Sequence, residues 1–362
     1  MRRLAIVISA IAVFIALVAG GFFYWVYRSV HTPHDHSRSA DFIKIEKGST
    51  PKQIIARLSD EGIIPSYTAT YLYVRMFGDT EKLQAGEYQF ESPITPLQVL
   101  SELESGQERT MKLTIPEGFT RFDIAKRIVE RFPQDPPITE ADVLALMDDA
   151  QKYGFVSNLA PRATTLEGYL YPSTYSFSRD ITPQAILVNM VNQFAKVWKP
   201  EWTEQARSLG YTPHEIVTIA SLIETESGVE TERPIVASVI YNRLNKRVPL
   251  GVDQTVVYIA KMRGRWDGTI NQSDIDFESP YNTRKHAGLP PGPISSVSES
   301  ALYAALNPAQ TNYLYYVRNV DANDGSHWFY ASAAEFEVGK AKYQRWLEQE
   351  RAIKRLEQTN QQ

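Results

Sequence analysis

Two glutamates carry the first chemistry legible in this chain. Glu224 and Glu226 stand in the run IASLIETESG, near the end of a segment whose apolar residues recur at helical spacing. On a helical wheel Glu226 falls three residues after Ile223 and seven after Ile219, so it continues the apolar stripe. Apolar neighbours disfavour the carboxylate, and the negative end of a helix adds to the effect; both raise the pKa. A carboxyl kept protonated near neutral pH is what a glycosidase needs to protonate a leaving oxygen. Glu224 flanks the same stripe from the other side, and spacing alone does not choose between the two. The plainer reading makes both of them helix-end residues that cap or pair with cations such as Arg233 or Arg243.

The element that carries these carboxyls is well marked. Thr212 caps it, Pro213 takes the first helical position, and Glu215 completes a T-x-x-E capping box. Ile216, Ile219, Ala220 and Ile223 form its buried face, and Gly228 is the expected C-cap. A second helix is expected from near Pro234, with Val236, Val239, Ile240 and Leu244 inside. Downstream, PLGVDQTVVYIA places Asp253, Thr255 and Tyr258 as a polar cluster where a loop could return to a cleft. YNTRKHAGLPPGPI, with Tyr281 and Asn282, is too rich in Pro and Gly for a regular element. It reads either as a rigid loop at the mouth of a site or as a surface connection. Upstream, LEGYLYPSTYSF offers aromatics with polar tips, which suit sugar binding and a packed core equally. Pro183–Trp198 and Ser296–Leu306 read as helices, Tyr313–Val317 and Ser326–Tyr330 as paired strands, and Lys340–Gln358 as a charged terminal helix.

The whole chain has 362 residues, 43% hydrophobic and 22% charged, with no cysteine and a formal charge of −4. That length accommodates two or three domains and excludes a disulfide framework. No basic face points to nucleic acid. Leu4–Tyr27 is uncharged and long enough to cross a bilayer, which takes about 20 apolar residues. Arg2 and Arg3 precede it, and Tyr24, Trp25 and Tyr27 supply an aromatic anchor, so the N-terminus is expected in the cytoplasm and the remainder outside. A cleaved signal peptide has a shorter apolar region, about 7–15 residues, and a small-residue cleavage site; here bulky Phe22–Tyr27 occupies that place. Without residues 1–28 and their three arginines, the formal charge goes from −4 to −7. His31–Ser39 reads as a polar linker. Its His31, His34 and His36 are taken as solvent-exposed rather than metal-binding; with His214, His286 and His327 they show no H-E-x-x-H spacing, and no metal or cofactor is expected.

Three segments of the middle region resemble one another: FIKIEKGSTPKQIIARLSDEG, YQFESPITPLQVLSELESG and LTIPEGFTRFDIAKRIVER. Each reads as a short strand, a turn, a Thr cap and an amphipathic helix. Thr50, Thr95 and Thr120 align, followed at four and eight residues by Ile54 and Leu58, Val99 and Leu103, Ile124 and Ile128. The first of these units resembles a LysM-like module, a small unit associated with aminosugar polymers. A spacer that sets the next domain above a membrane explains the same pattern.

Taken in order, LEGYLYPSTY, IASLIETESG, RPIVASVIYNRL, LGVDQTVVY, YNTRKHAGLPPGPI and ALNPAQTNYLYYV resemble the motifs of the endolytic murein transglycosylases of the MltG (YceG-like) family. The resemblance covers almost the whole chain. It implies a membrane-anchored lytic transglycosylase that cuts peptidoglycan glycan between N-acetylmuramic acid and N-acetylglucosamine and leaves a 1,6-anhydro end. The family's catalytic glutamate is the second of its E-x-E pair, which corresponds to Glu226. Work beside peptidoglycan synthases (penicillin-binding proteins) is also implied. The chain departs from the family pattern at Gln254, where Pro is usual, and at Gly251 and Val252.

The expected architecture is α+β. Residues 1–28 are the cytoplasmic tip and transmembrane anchor, and 29–40 a linker. Residues 41–132 are a LysM-like αβ repeat region, 133–345 a mixed α/β catalytic domain with a helix-borne glutamate, and 346–362 a helix end and tail. Candidate site residues are Glu226 as acid and then base, with Ser227, Asp253, Thr255, Tyr258, Tyr281 and Asn282 as orienting or binding groups. Two rivals stand beside this reading. Asp253 as a second carboxylate would make a lysozyme-type hydrolase. A membrane-anchored peptidoglycan-binding scaffold would need no catalysis at all.

Overall fold

The computed structural model describes residues 2–39, 41–46, 48–78, 83–106, 111–179 and 181–360, without side-chain detail at 2–10, 12, 354 and 356–360. In chain order the elements are α1 (Arg2–His31), β1 (Ile43–Ile45), α2 (Pro51–Asp60), α3 (Tyr67–Phe77), β2 (Gly86–Tyr88), α4 (Pro96–Ser105), β3 (Met111–Ile115) and α5 (Arg121–Arg131). Then come α6 (Glu140–Met147), α7 (Gly154–Leu159), β4 (Ser173–Phe177), α8 (Pro183–Val197), α9 (Pro200–Ser208) and α10 (Pro213–Glu226). The chain finishes with α11 (Arg233–Lys246), α12 (Asp253–Met262), α13 (Gln272–Ile275), α14 (Glu299–Leu306), β5 (Tyr315–Arg318), β6 (His327–Tyr330) and α15 (Ala333–Asn360). Helix and strand are mixed, as expected. The contacts divide the chain into two compact units, one of residues 1–111 with 176–179 and one of 112–175 with 180–362.

In the first unit β1 and β2 pair antiparallel, with Ile43 opposite Tyr88 and Ile45 opposite Gly86. Ile43 and Ile45 turn inward because side chains alternate along a strand. They join Ile54, Leu58, Val99 and Leu103 in one apolar cluster. Thr50 and Thr95 each close a complete capping box at the start of α2 and α4. A helix of apolar composition and membrane-spanning length runs over Val13–His31. Its last turns are part of this unit: Val26 is 2% and Val30 0% exposed, and α1 packs against α3 and α4.

The second unit is organised around α10. Its start is capped by Thr212 and Glu215 as the capping box requires. The periodicity predicts one buried face, but all eight residues from Ile216 to Ile223 are buried. The reason is tertiary: α9, α11, α12 and α14 all pack against α10. The loop before α14 closes the remaining side, where the Ile294 N–H donates to Ser221 Oγ at 3.1 Å. A helix surrounded in this way buries every side, and its polar members Thr218 and Ser221 donate their hydroxyls to the His214 and Thr218 carbonyls at 2.8 and 2.7 Å. Gly168 lets the chain pass close by. Its φ of +84° is one that L side chains rarely adopt, and a Cβ would lie 2.6 Å from Pro293 and 2.9 Å from Val217. β5 and β6 pair antiparallel with Tyr316 opposite Phe329, so this expected hairpin forms.

Candidate active site

Glu226 is the last residue of α10. The helix stops because Ser227 turns to an extended conformation (φ −118°, ψ 109°). The expected glycine C-cap at Gly228 is not used; the Ser227 hydroxyl instead donates to the Val229 carbonyl at 2.9 Å. Helix end and turn leave the Glu226 carboxyl half-buried and facing β5. Its Oε2 accepts the Tyr316 hydroxyl at 2.7 Å. The Tyr316 ring meets His327 edge-on at 5.4 Å. His327 in turn is held by Glu232, whose Oε2 lies 2.9 Å from Nδ1 and whose carboxylate accepts the His327 backbone N–H at 2.9 and 3.1 Å.

Burial pushes the Glu226 carboxyl above its ordinary value; the Tyr316 hydroxyl opposes the rise, the negative charge of Asp253 adds to it, and His327 and Arg243 also oppose it. Tyr316 is itself driven well above the usual tyrosine range, by burial and by the neighbouring carboxylate. It therefore stays protonated and remains a donor. Arg243 is fixed by donating from Nε to the Leu314 carbonyl at 2.6 Å and from Nη1 to the Leu250 carbonyl at 2.6 Å.

Glu224, two residues earlier, has a different role. Its side chain is 3% exposed and its Oε1 accepts Arg233 Nη2 at 2.8 Å. Its Oε2 accepts the Ser298 N–H at 2.8 Å and the Ser298 hydroxyl at 2.5 Å. Both oxygens are thus engaged at the start of α14. Of the two glutamates, Glu224 makes the pairing with Arg233 that spacing offered to either.

The other expected site residues divide into groups. Asp253 opens α12, is 54% exposed at its side chain and pairs with Arg284; its field reaches Glu226. Thr255 is buried and donates to the Val252 carbonyl at 2.6 Å, with Thr283 Oγ 3.0 Å away. Asn282 is buried and donates to the Ile275 and Phe277 carbonyls, both at 2.9 Å. These two side chains hold loops in place. Tyr258 and Tyr281 pack ring to ring at 5.0 Å, and both feel the charge of Glu167. Sequence reasoning did not single out Glu167. It is buried, accepts the Arg121 backbone N–H at 3.0 and 3.2 Å, and is pushed up to about 7, chiefly by desolvation. Tyr316 was also missed, since nothing local in YLYYV tells which tyrosine reaches across to α10. Among the described residues no three His, Asp or Glu side chains converge to hold a metal ion.

With one buried, protonatable carboxyl and one fixed donor, the site can give a proton from Glu226 and take one back. The model of the YceG-like family matches residues 43–342. The chain is 31% identical over 343 residues to the endolytic murein transglycosylase of Bacillus subtilis (strain 168), covering 90% of this chain and 91% of that protein. It is 29% identical over 341 residues to the endolytic murein transglycosylase of Streptococcus pneumoniae (strain D39), covering 87% of this chain and 61% of that longer protein. The 2.6 Å crystal structure of a yceG-like protein from Listeria monocytogenes superposes with a TM-score of 0.54 at 31% identity, over 85% of this chain and 99% of that one.

Proposed function

The chain belongs to the YceG-like family, and from that premise we propose that it is an endolytic peptidoglycan lytic transglycosylase whose acid–base residue is Glu226. It cleaves the glycan of peptidoglycan between N-acetylmuramic acid and N-acetylglucosamine and leaves a 1,6-anhydro-muramic end. The observation that carries the choice of residue is the contrast between the two glutamates. Glu224 has both oxygens committed to Arg233 and Ser298, whereas Glu226 has an oxygen to spare among the described residues.

Because Tyr316 donates to Oε2, a protonated Glu226 carries its proton on Oε1. Oε1 gives that proton to the glycosidic oxygen as the bond to the anomeric carbon breaks. The resulting carboxylate then takes the proton of the muramic 6-hydroxyl, whose oxygen closes on the anomeric carbon. No water is consumed, and Glu226 ends protonated again. Burial and the negative field of Asp253 favour the starting acid form. Asp253 is held by its ion pair with Arg284, which favours a role through its field over that of a second catalytic carboxylate.

In the same reading residues 1–28 anchor the protein as a single pass with the N-terminus in the cytoplasm, and residues 133–345 act outside the membrane. The LysM-like region, residues 41–132, positions that domain or holds glycan. Peptidoglycan synthases are the partners whose nascent strands it terminates. The test is mass spectrometry of products from uncrosslinked strands, using the full chain in detergent with Glu226→Gln beside it. Products one water lighter than hydrolysed sugar, absent with the variant, are expected. Products carrying a full water would replace this reading with a hydrolase, and strand binding without cleavage would leave a scaffold.

A further inference from the structure

Resting on the reading above, we propose that the cavity at the N-terminal end of α10 is a second glycan subsite. It takes a carboxylate-bearing sugar of the same strand, several rings away from the bond cut at Glu226. The cavity has a volume of about 750 Å³, within the range of roughly 300–1,000 Å³ that holds small ligands. Leu159, Leu244 and Leu289–Pro291 give it apolar walls, and Glu215 and Thr218 bring α10 to its lining.

Its place on α10 ties it to the cleavage site. Glu215 and Glu226 stand at the two ends of α10, eleven residues apart. The rise between Glu215 and Glu226 is about 16 Å. An enzyme that cuts inside a polymer must hold sugars away from the scissile bond as well as at it, and this cavity lies at such a distance.

Most of its polar lining is already occupied. His214 Nδ1 lies 2.7 Å from the Tyr169 hydroxyl and Nε2 3.1 Å from the Pro291 carbonyl. Glu215 accepts the Thr212 hydroxyl at 2.8 Å, and Thr218 donates to the His214 carbonyl at 2.8 Å. Arg162 is the exception. It is exposed on the cavity rim and has no ion-pair partner among the described residues. Tyr211 lines the same cavity, its ring braced edge-on against Tyr241 at 5.3 Å. A guanidinium next to an aromatic wall fits a carboxylate carried on a sugar ring: the fork takes the anion and the ring takes the apolar sugar face. In peptidoglycan that carboxylate comes from the stem peptide or, where the peptide is removed, from the lactyl group of muramic acid.

The experiment measures binding of fluorescent strands to the full chain in detergent, in a Glu226→Gln background so that none is cut. Peptide-bearing and amidase-stripped strands are compared with Arg162 present and with Arg162→Gln. Loss of the charged contact should weaken binding about tenfold, and Arg162→Lys should recover part of it. Weakening on peptide-bearing strands alone assigns the carboxylate to the stem, weakening on stripped strands alone assigns it to the lactyl group, and weakening on both shows that the subsite takes either. In the active chain Arg162→Gln should raise KM and leave kcat unchanged. Equal affinity for both strand types with and without the Arg162→Gln substitution, or no binding in either case, overturns the subsite. Strand binding that depends on Arg162 without any cleavage by the unmutated chain would overturn the proposed function and leave the subsite standing.

Discussion

The hydroxyl of Tyr316 donates to Oε2 of Glu226 at 2.7 Å, joining a β-strand to the end of the central helix. This contact stabilises the carboxylate, while burial of the same group favours the acid. Tyr316→Phe removes the stabilisation, so the Glu226 pKa rises and the acid form persists to higher pH. The alkaline limb of kcat/KM should move upward, and kcat should fall about fivefold, the equivalent of one lost hydrogen bond of about 1 kcal/mol. A pH–rate profile identical to that of the unmutated chain would rule out this coupling.

Glu226→Gln should lower cleavage by about 10²–10⁴-fold, the range of a lost general acid–base. It should not unfold the protein. A raised carboxyl pKa means that the folded state binds a proton more tightly than the unfolded one. Stability is therefore lost as pH rises from the unfolded value through the raised folded value. Gln escapes that loss. Denaturant titration should find the variant at least as stable as the unmutated chain at pH 8, with any advantage gone at pH 4. Loss of the fold at both pH values would make Glu226 a structural residue.

Glu224→Ala should have the opposite profile. It leaves the buried guanidinium of Arg233 with the longer contact to exposed Glu117 at 3.6 Å as its carboxylate partner and removes the acceptor at the start of α14. Breaking a buried pair from one side costs about 3–5 kcal/mol. The loss should be visible in urea unfolding, and whatever activity remains should track the folded fraction.

Glu167 offers a pH signature of its own. Its carboxyl rises from 4.5 to about 7 in the fold. Its contribution should cost stability progressively between about pH 4.5 and 7 and then level off, amounting to about 3 kcal/mol. Glu167→Gln should remove that slope. Stability curves of variant and unmutated chain that run parallel between pH 4.5 and 7 would show that Glu167 does not titrate there.

Truncation tests the end of α1. Val26 and Val30 are buried in the first unit, so a chain starting at residue 22 should keep that unit stable. A chain starting at residue 32 loses both side chains, worth about 1.5–3 kcal/mol each. Hydrogen exchange in α3 and α4, which pack on α1, should rise only in the shorter chain. Equal protection in both would contradict the packing.

The amino-acid sequence by itself determined what depends on near neighbours. The capping boxes at Thr50, Thr95, Thr120 and Thr212 all form, because each closes over three residues. The strand alternation and the motifs that mark the family are likewise local patterns. The tertiary structure alone decided the roles within E-x-E. Glu224 and Glu226 are equivalent on a wheel, and what separates them is Ser298, 74 residues from Glu224, and Tyr316, 90 residues from Glu226. It also decided that Tyr258 and Tyr281 gather with Glu167 and that Thr255 and Asn282 spend their polar atoms on loops. A side chain's chemistry depends on which groups reach its free lone pairs and protons, and in this chain those groups arrive from distant segments.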